Sequence, residues 1–240
     1  MTDLLFQDES YLKEFEATIT EMVEGGAVLD RSAFYIGGGG QPCDTGVLIH
    51  DGHEHIVTKV GRQEGKIVHQ IPDLASSSLA SGQLVTGKID WDQRLLLMRT
   101  HTALHILCGV VWRDYGAKVT GGDMRPGEAR MDFELEQMTA QFAEEIEEKI
   151  NTEVAIARDV LVSKISRDEA DRTPDLIRTK INLLPSDIRE VRTIDIQGLD
   201  IQADGGTHVA NTQEVGTIKV VGRESKGRIN KRLRIALADI

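Results

Sequence analysis

The sequence predicts an α+β protein with two domains, a small N-terminal β-barrel and a C-terminal domain in which helices cover one face of an antiparallel sheet. Up to residue 90 the chain consists of short alternating segments separated by turn residues, a pattern typical of small all-β domains. From Asp92 the hydrophobic period becomes that of a helix, and strand-like and helix-like segments then alternate. We therefore place the domain boundary near residue 91, with domains 1–91 and 92–240.

The N-terminal domain is predicted from several short strands. Phe15, Ala17 and Ile19 alternate with polar residues, which indicates a strand with one buried face. The segments VLIH and EHIVTKV flank Asp51–Gly52, a dipeptide typical of a tight hairpin turn. KIVHQI and QLVTGKI continue the pattern, with the small-residue loop DLASSSLASG between them. Strands this short and this regularly spaced favour a small barrel.

The C-terminal domain is predicted to begin with its longest helix. Helical spacing extends from Asp92 to Tyr115, and Gly116 is a natural C-terminal stop. AKVTGGDM and ARMDFEL form a predicted hairpin, and TAQFAEEIEEKINTEVAIA an amphipathic helix. DVLVSKI is a strand followed by a short helix that ends before Pro174. IREVRTIDI, GTIKVVG and KRLRIAL complete the sheet.

Charge is unevenly distributed along the chain. The net charge of −11 argues against a general nucleic-acid coat protein. The final segment is basic, however, and contains Lys219, Arg223, Lys226, Arg228, Lys231, Arg232 and Arg234. A basic patch on an acidic protein suits a local phosphate contact. The alternative is a solvated edge strand protected by its lysines.

Several features favour a cytoplasmic protein. Cys43 and Cys108 are the only cysteines, so no disulfide framework is implied. The first residues, MTDLLFQDES, carry acids where a signal peptide needs a basic start. No stretch approaches about 20 consecutive apolar residues, the length of a membrane span. We therefore expect no membrane partner.

Histidines mark the candidate site. RTHTALHIL places His101 and His105 four residues apart, on one face of the apolar helix. The loop QADGGTHVANTQEVG presents Asp204 and His208 around two glycines. Together the two pairs make a plausible four-ligand zinc set, although a hydrogen-bonded core pair explains two helical histidines equally well. The remaining histidines lie in the predicted N-terminal hairpins, where exposed strand positions explain them: His50, His53, His55 and His69.

Four motifs resemble a known family. RTHTALHIL, GGTHVANTQEVG and SKGRINKRLRIAL resemble the editing domain of alanyl-tRNA synthetases, and AFYIGGGGQPCDTG resembles the glycine-rich motif that precedes it. The motifs occur in the family's order over nearly all of residues 9–238. The chain is identified as a member of the free-standing alanyl-tRNA editing proteins, AlaX, in the medium-length form. This resemblance implies a small β-barrel followed by the α/β editing domain shared with threonyl-tRNA synthetase.

The resemblance also implies a reaction and a cofactor. The reaction is hydrolysis of the ester that joins serine, and in this longer form glycine, to tRNA(Ala), with no role for DNA. One Zn²⁺ per chain is implied at His101, His105, Asp204 and His208. The family often has cysteine where this chain has Asp204. That aspartate is either a direct ligand or a group that orients His208 or a water, and weak or absent metal binding is the third alternative.

Further residues match the family by position. Thr120 matches the threonine that contacts the serine side chain, although a β-branched strand residue is the plain alternative. Gln41, with Gly39 and Gly40, is a candidate for positioning the ester or the terminal adenosine. The candidates for contact with tRNA phosphates are Lys226, Arg228, Lys231 and Arg232.

No protein nucleophile is evident, so we expect attack by water that zinc either activates or positions, without a covalent intermediate. Two other functions stay open. The chain could be a tRNA-binding module whose active site has decayed, as the aspartate at position 204 suggests. It could also be a zinc hydrolase of a small-molecule ester.

Overall fold

The chain forms two compact units, Met1–Leu95 and Leu96–Ile240. The structure is a computed structural model that describes residues 1–173, 175–179 and 188–238. The short helix that we predicted before Pro174 is present, whereas Pro174 itself lies outside the described residues.

The first unit is built of strands, as predicted. Its strands are β1 (Asp3–Leu4), β2 (Glu14–Val23), β3 (Gly26–Leu29), β4 (Arg31–Ser32), β5 (Gly46–His50), β6 (His53–Val57), β7 (Lys59–Gln63), β8 (Lys66–Gln70) and β9 (Leu84–Ile89). Seven of these form an antiparallel sheet in the order β6-β5-β9-β2-β3-β8-β7, and β1 pairs with β4 in parallel. The predicted hairpin turn is confirmed, with positive φ at both Asp51 and Gly52.

The predicted closed barrel is not confirmed. β2 pairs with β9 through Glu14–Thr18 and with β3 from Ile19 onward, and its register is irregular at the change of partner. β6 and β7 are separated only by Thr58, yet they occupy the two outer positions of the sheet. In the described part of the chain no ladder joins them, so the sheet is open. Alternation of apolar residues is the same in a bent open sheet and in a barrel, which is why the sequence could not separate the two.

His69 was expected at an exposed strand position, and this is wrong. The residue is fully buried on β8, whose Ile67 and Val68 are buried as well. The His69 Nε2 atom lies 2.8 Å from the Ser32 hydroxyl, and the Nδ1 atom lies 3.3 Å from the carbonyl oxygen of Ala27. A strand covered on both faces shows no alternation from which the burial of one polar residue could be inferred.

The second unit contains helices and two antiparallel sheets rather than the single sheet we predicted. Its elements are α1 (Trp91–Tyr115, which begins in the first unit), β10 (Val119–Arg125), β11 (Glu128–Phe133), α2 (Ala140–Ala155), β12 (Val160–Ser166), α3 (Arg167–Arg172), β13 (Glu190–Ile196), β14 (Asp200–Ala203), β15 (Ile218–Gly227) and β16 (Asn230–Leu237). One sheet has the order β10-β11-β16-β15 and the other β12-β13-β14. Strand β14 was not predicted, because four residues are too few to show a period.

Helix α1 lies in the core. It ends at Tyr115, where Gly116 adopts a positive φ of 62° as the predicted stop. By length and hydropathy this helix could cross a membrane, contrary to our expectation of no such segment, but 78% of its most apolar window is buried inside the fold. Every residue from 101 to 111 is buried. The histidines of this helix therefore lie where an unpaired polar group would be costly.

Candidate metal centre

The two predicted ligand pairs meet in the second unit. His101 and His105 lie one turn apart on α1. Strand β14 ends at Ala203, and the loop that follows carries Asp204 and His208. One ligand atom from each of these four side chains lies within 4.8 Å of the others. Residues about a hundred positions apart in the chain are thus brought together by the fold.

The spacing of the ligand atoms suits a tetrahedral metal. The Oδ2 atom of Asp204 lies 3.7 Å from His101 Nε2 and 3.9 Å from His105 Nε2, and the Oδ1 atom lies 3.2 Å from His208 Nε2. Four ligands at about 2.0–2.1 Å from a tetrahedral zinc are roughly 3.3–3.4 Å apart. The three carboxylate–imidazole distances, measured to one or the other oxygen of Asp204, lie between 3.2 and 3.9 Å, close to that value. Three imidazoles and one carboxylate are also a donor set that zinc accepts.

A tight turn holds Asp204 in place. The backbone N–H of Gly206 donates to Asp204 Oδ1 at 2.6 Å, which closes an Asx turn. Arg192 on β13 donates from Nη1 to the carbonyl oxygens of Asp204 at 3.0 Å and Gly206 at 2.8 Å. The Asp204 N–H returns a bond to the Arg192 carbonyl. Arg192 was not predicted, because the position of a single arginine in a strand does not indicate which groups its side chain will bind.

The second ring nitrogen of His208 also has a partner. Its Nδ1 atom lies 3.2 Å from the Oγ1 atom of Thr102, and the backbone N–H of Val209 donates to the same oxygen at 3.3 Å. Thr102 is fully buried on α1, between the two helical histidines. Thr102 lies inside the HTALH motif but was not among the predicted site residues.

Burial sets the charge states of the four side chains. Desolvation lowers the pKa of His101 and His208, and it lowers that of His105 to about 4. Burial alone would raise the pKa of Asp204, but the three imidazoles and the hydrogen bond with His208 hold it well below its usual value. These directions favour neutral imidazoles and an ionised carboxylate, the forms that bind a metal cation.

Cys108 stands apart from this cluster. It is buried on α1, seven residues after His101, and burial raises the pKa of its thiol well above the usual range. It does not belong to the group of ligand atoms that the described residues bring together. This placement agrees with our interpretation of Cys108 as a small buried hydrophobe.

The residues proposed to bind substrate lie in both units. Thr120, on β10, is exposed, and its hydroxyl donates to Asn230 Oδ1 at 2.9 Å. In the first unit, Gly39 and Gly40 adopt φ values of 58° and 89°, which favour glycine. Gln41 is buried and exchanges two backbone hydrogen bonds with Gly38.

The four basic candidates have different surroundings. Lys226 is exposed and pairs with Glu224 at 3.0 Å, and Arg228 is exposed as well. Lys231 is buried, and its ammonium donates to the carbonyl oxygens of Gly227 and Arg228. Arg232 forms a two-bond ion pair with Asp132, at 2.7 and 2.8 Å. Lys231 and Arg232 are thus engaged within the fold.

Family models match both units. The model described as tRNA synthetases class II (A) matches residues 6–93. The model described as Threonyl and Alanyl tRNA synthetase second additional domain matches residues 191–234, the range that contains Asp204 and His208.

Similar proteins include a full-length match. The chain is 38% identical over 243 residues to the alanyl-tRNA editing protein AlaX-M of Methanosarcina barkeri, covering all of both chains. It is also 38% identical to AlaX-M of Saccharolobus solfataricus, over 97% of this chain and 98% of that one. The alanine–tRNA ligase of Pyrococcus furiosus is 35% identical over 93% of this chain, which spans 24% of the ligase. The chain thus belongs to the AlaX-M family of alanyl-tRNA editing proteins, which are hydrolases of aminoacyl-tRNA.

Proposed function

We propose that this protein is a trans-editing deacylase that hydrolyses the ester of Ser-tRNA(Ala), and also of Gly-tRNA(Ala), with the aid of one zinc ion. His101, His105, Asp204 and His208 are the ligands in this proposal. The observation that carries it is the buried ligand cluster, whose atoms lie within 4.8 Å of one another in a chain of an editing family. Cytoplasmic location follows from a tRNA substrate.

The need for such an enzyme is physical. A synthetic site shaped for alanine cannot exclude the smaller glycine by size, and one added hydroxyl gives little basis for rejecting serine. A second site that hydrogen-bonds the serine hydroxyl prefers serine to alanine. When alanine occupies that site, the group that would bind the hydroxyl is left without its hydrogen bond. We assign that contact to Thr120. Its hydroxyl proton is directed to Asn230, so the oxygen keeps acceptor capacity for a substrate hydroxyl.

The roles of the chain's own groups follow from their placement. Zinc, when bound, supplies a Lewis acid that polarises or orients the ester. Arg192 and the Asx turn hold the loop, so Asp204 and His208 face the two helical histidines. Cys108 is unsuited to be a nucleophile because burial disfavours its thiolate. We infer that water attacks the ester directly and no covalent intermediate forms.

Other parts of the substrate are assigned to other segments. We assign Gln41, Gly39 and Gly40 to the ester or the terminal adenosine, since glycine backbone permits close approach. Lys226 and Arg228 are assigned to tRNA phosphates, because both are exposed on the β15–β16 hairpin. Lys231 and Arg232 support this assignment indirectly, by fixing that hairpin through their internal bonds.

The test is a deacylation assay with three substrates. Purified protein is mixed separately with Ser-tRNA(Ala), Gly-tRNA(Ala) and Ala-tRNA(Ala), and loss of each ester is followed beside its rate in buffer. We expect fast loss of the serine ester, slower loss of the glycine ester, which offers no hydroxyl to Thr120, and the slowest loss of the alanine ester. His101→Ala should abolish activity and bound zinc, whereas His53→Ala, at an exposed strand position, should change neither.

Each alternative gives a distinct outcome. Binding of Ser-tRNA(Ala) without ester loss would indicate a binding module with a decayed site. Turnover of small esters without turnover of any aminoacyl-tRNA would indicate the small-molecule hydrolase. Active wild-type protein that contains no metal by elemental analysis would refute the zinc centre.

A further inference from the structure

We propose that Thr102 is a positioning residue of the metal centre, whose hydroxyl holds the Nδ1 side of His208 so that Nε2 is presented to the metal. This inference rests on the proposed function, because it assigns a task toward the zinc ion. It concerns a residue that lies inside the HTALH motif but is not one of the predicted ligands.

The contacts of Thr102 link helix α1, which carries two of the proposed ligands, to the loop that carries His208. The residue stands on α1 between His101 and His105 and is fully buried. Its Oγ1 atom meets His208 Nδ1 at 3.2 Å and accepts the N–H of Val209 at 3.3 Å. The helix that carries two ligands is thereby bonded to the third ligand and to the residue after it. The ring of His208 is fixed at one nitrogen while the other faces Asp204 at 3.2 Å.

A hydroxyl group can hydrogen-bond to His208 both in the metal-free centre and in a metal-bound one. A neutral imidazole carries one proton. In one tautomer of the neutral ring, Nε2 donates to the Asp204 carboxylate and Nδ1 accepts the Thr102 hydroxyl proton. If Nε2 bound a metal, the ring proton would lie on Nδ1 and would be donated to the Thr102 oxygen. The proton count of the ring is unchanged, and only a group that both donates and accepts serves both forms.

The same helix offers a matched control. Thr100 is also buried, and its Oγ1 atom accepts the N–H of Gly127 at 2.9 Å and donates to the Leu96 carbonyl at 2.6 Å. Replacing either threonine with valine keeps its shape and deprives one backbone N–H of its partner. The hydrogen bonds of Thr100 go to backbone atoms, whereas those of Thr102 include a ligand. A difference between the two variants therefore isolates the contact with His208.

The experiment measures zinc affinity by competition with a chelator of known Kd, in wild type, Thr102→Val, Thr102→Ser and Thr100→Val. Groups that orient a metal ligand typically contribute about 10- to 100-fold in affinity. We expect Thr102→Val to weaken zinc binding by about that factor, with Thr102→Ser and Thr100→Val within about threefold of wild type. Equal Kd values for Thr102→Val and Thr100→Val, or failure of Thr102→Ser to retain affinity, would overturn the inference.

A second measurement does not depend on the variants' folding. Ring ¹⁵N shifts of His208 in wild type report which nitrogen is protonated. We expect a protonated Nε2 and a hydrogen-bonded, unprotonated Nδ1 without metal, and a protonated Nδ1 with zinc. A metal-free His208 whose Nδ1 carries the proton would contradict the inference. If zinc fails to bind but the metal-free pattern is found, the metal centre falls and the Thr102 contact stands.

Discussion

His69 makes the stability of the first unit depend on pH. Burial lowers the pKa of this imidazole from 6.5 to about 4. Its neutral ring is held by Ser32 and Ala27 inside the sheet. In the unfolded chain the ring titrates near its ordinary value, so below about pH 6.5 the unfolded state binds a proton that the folded state does not. The stabilisation is complete above that pH and is lost as the pH falls toward 4.

The size of the effect follows from the two pKa values. The pKa of His69 is about 2.5 lower in the folded protein than in the unfolded chain. Relative to neutral pH, this difference lowers the free energy of unfolding by about 2 kcal/mol at about pH 5 and by about 3 kcal/mol at about pH 4. Urea unfolding over this range, in wild type, His69→Gln and His53→Gln, measures it. We expect His69→Gln alone to flatten the pH dependence by that amount, because His53 is exposed. Equal slopes for His69→Gln and wild type would refute the account of His69.

Two further predictions concern substrate recognition by Thr120 and metal binding by Asp204. Thr120→Val should lower the ratio of kcat/KM for Ser-tRNA(Ala) over Ala-tRNA(Ala) by about tenfold, since the hydroxyl partner is removed with the shape kept; an unchanged ratio would exclude Thr120 from recognition. Asp204→Ala should weaken zinc binding by more than about tenfold, whereas Asp204→Cys should retain zinc. A stoichiometric zinc content in Asp204→Ala after mild chelation would count against direct ligation.

Local pattern predicted most of the elements. The helix that ends before Gly116, the hairpin at Asp51–Gly52 and the strand containing Phe15 were correct, because each depends on residues close in sequence. The partition of the second unit into two sheets was missed, as was the open edge of the first sheet. Strand pairing is decided by contacts between distant segments, and hydrophobic periodicity does not encode it.

The candidate site, like the fold, could be predicted from the sequence only in part. Spacing alone placed His101 and His105 on one face, and the Asp-x-x-x-His loop supplied Asp204 and His208 as the second pair of candidate ligands. Arg192 and Thr102, which hold the loop and the third imidazole, gave no signal because their partners are backbone atoms or a distant ring. Groups that act directly leave recurrent motifs, whereas groups that support them are found only through the contacts the fold creates.

The two carboxylate oxygens of Asp204 have different surroundings, so turn formation and metal ligation do not exclude each other. Its Oδ1 atom accepts the Gly206 N–H at 2.6 Å and shapes the turn. Its Oδ2 atom faces His101 and His105 at 3.7 and 3.9 Å, beyond hydrogen-bonding distance. The side chain keeps 15% of its surface accessible, and a bound cation would compensate the charge of its largely buried carboxylate. In the proposed metal centre, Asp204 would shape the turn with one oxygen and ligate the metal with the other.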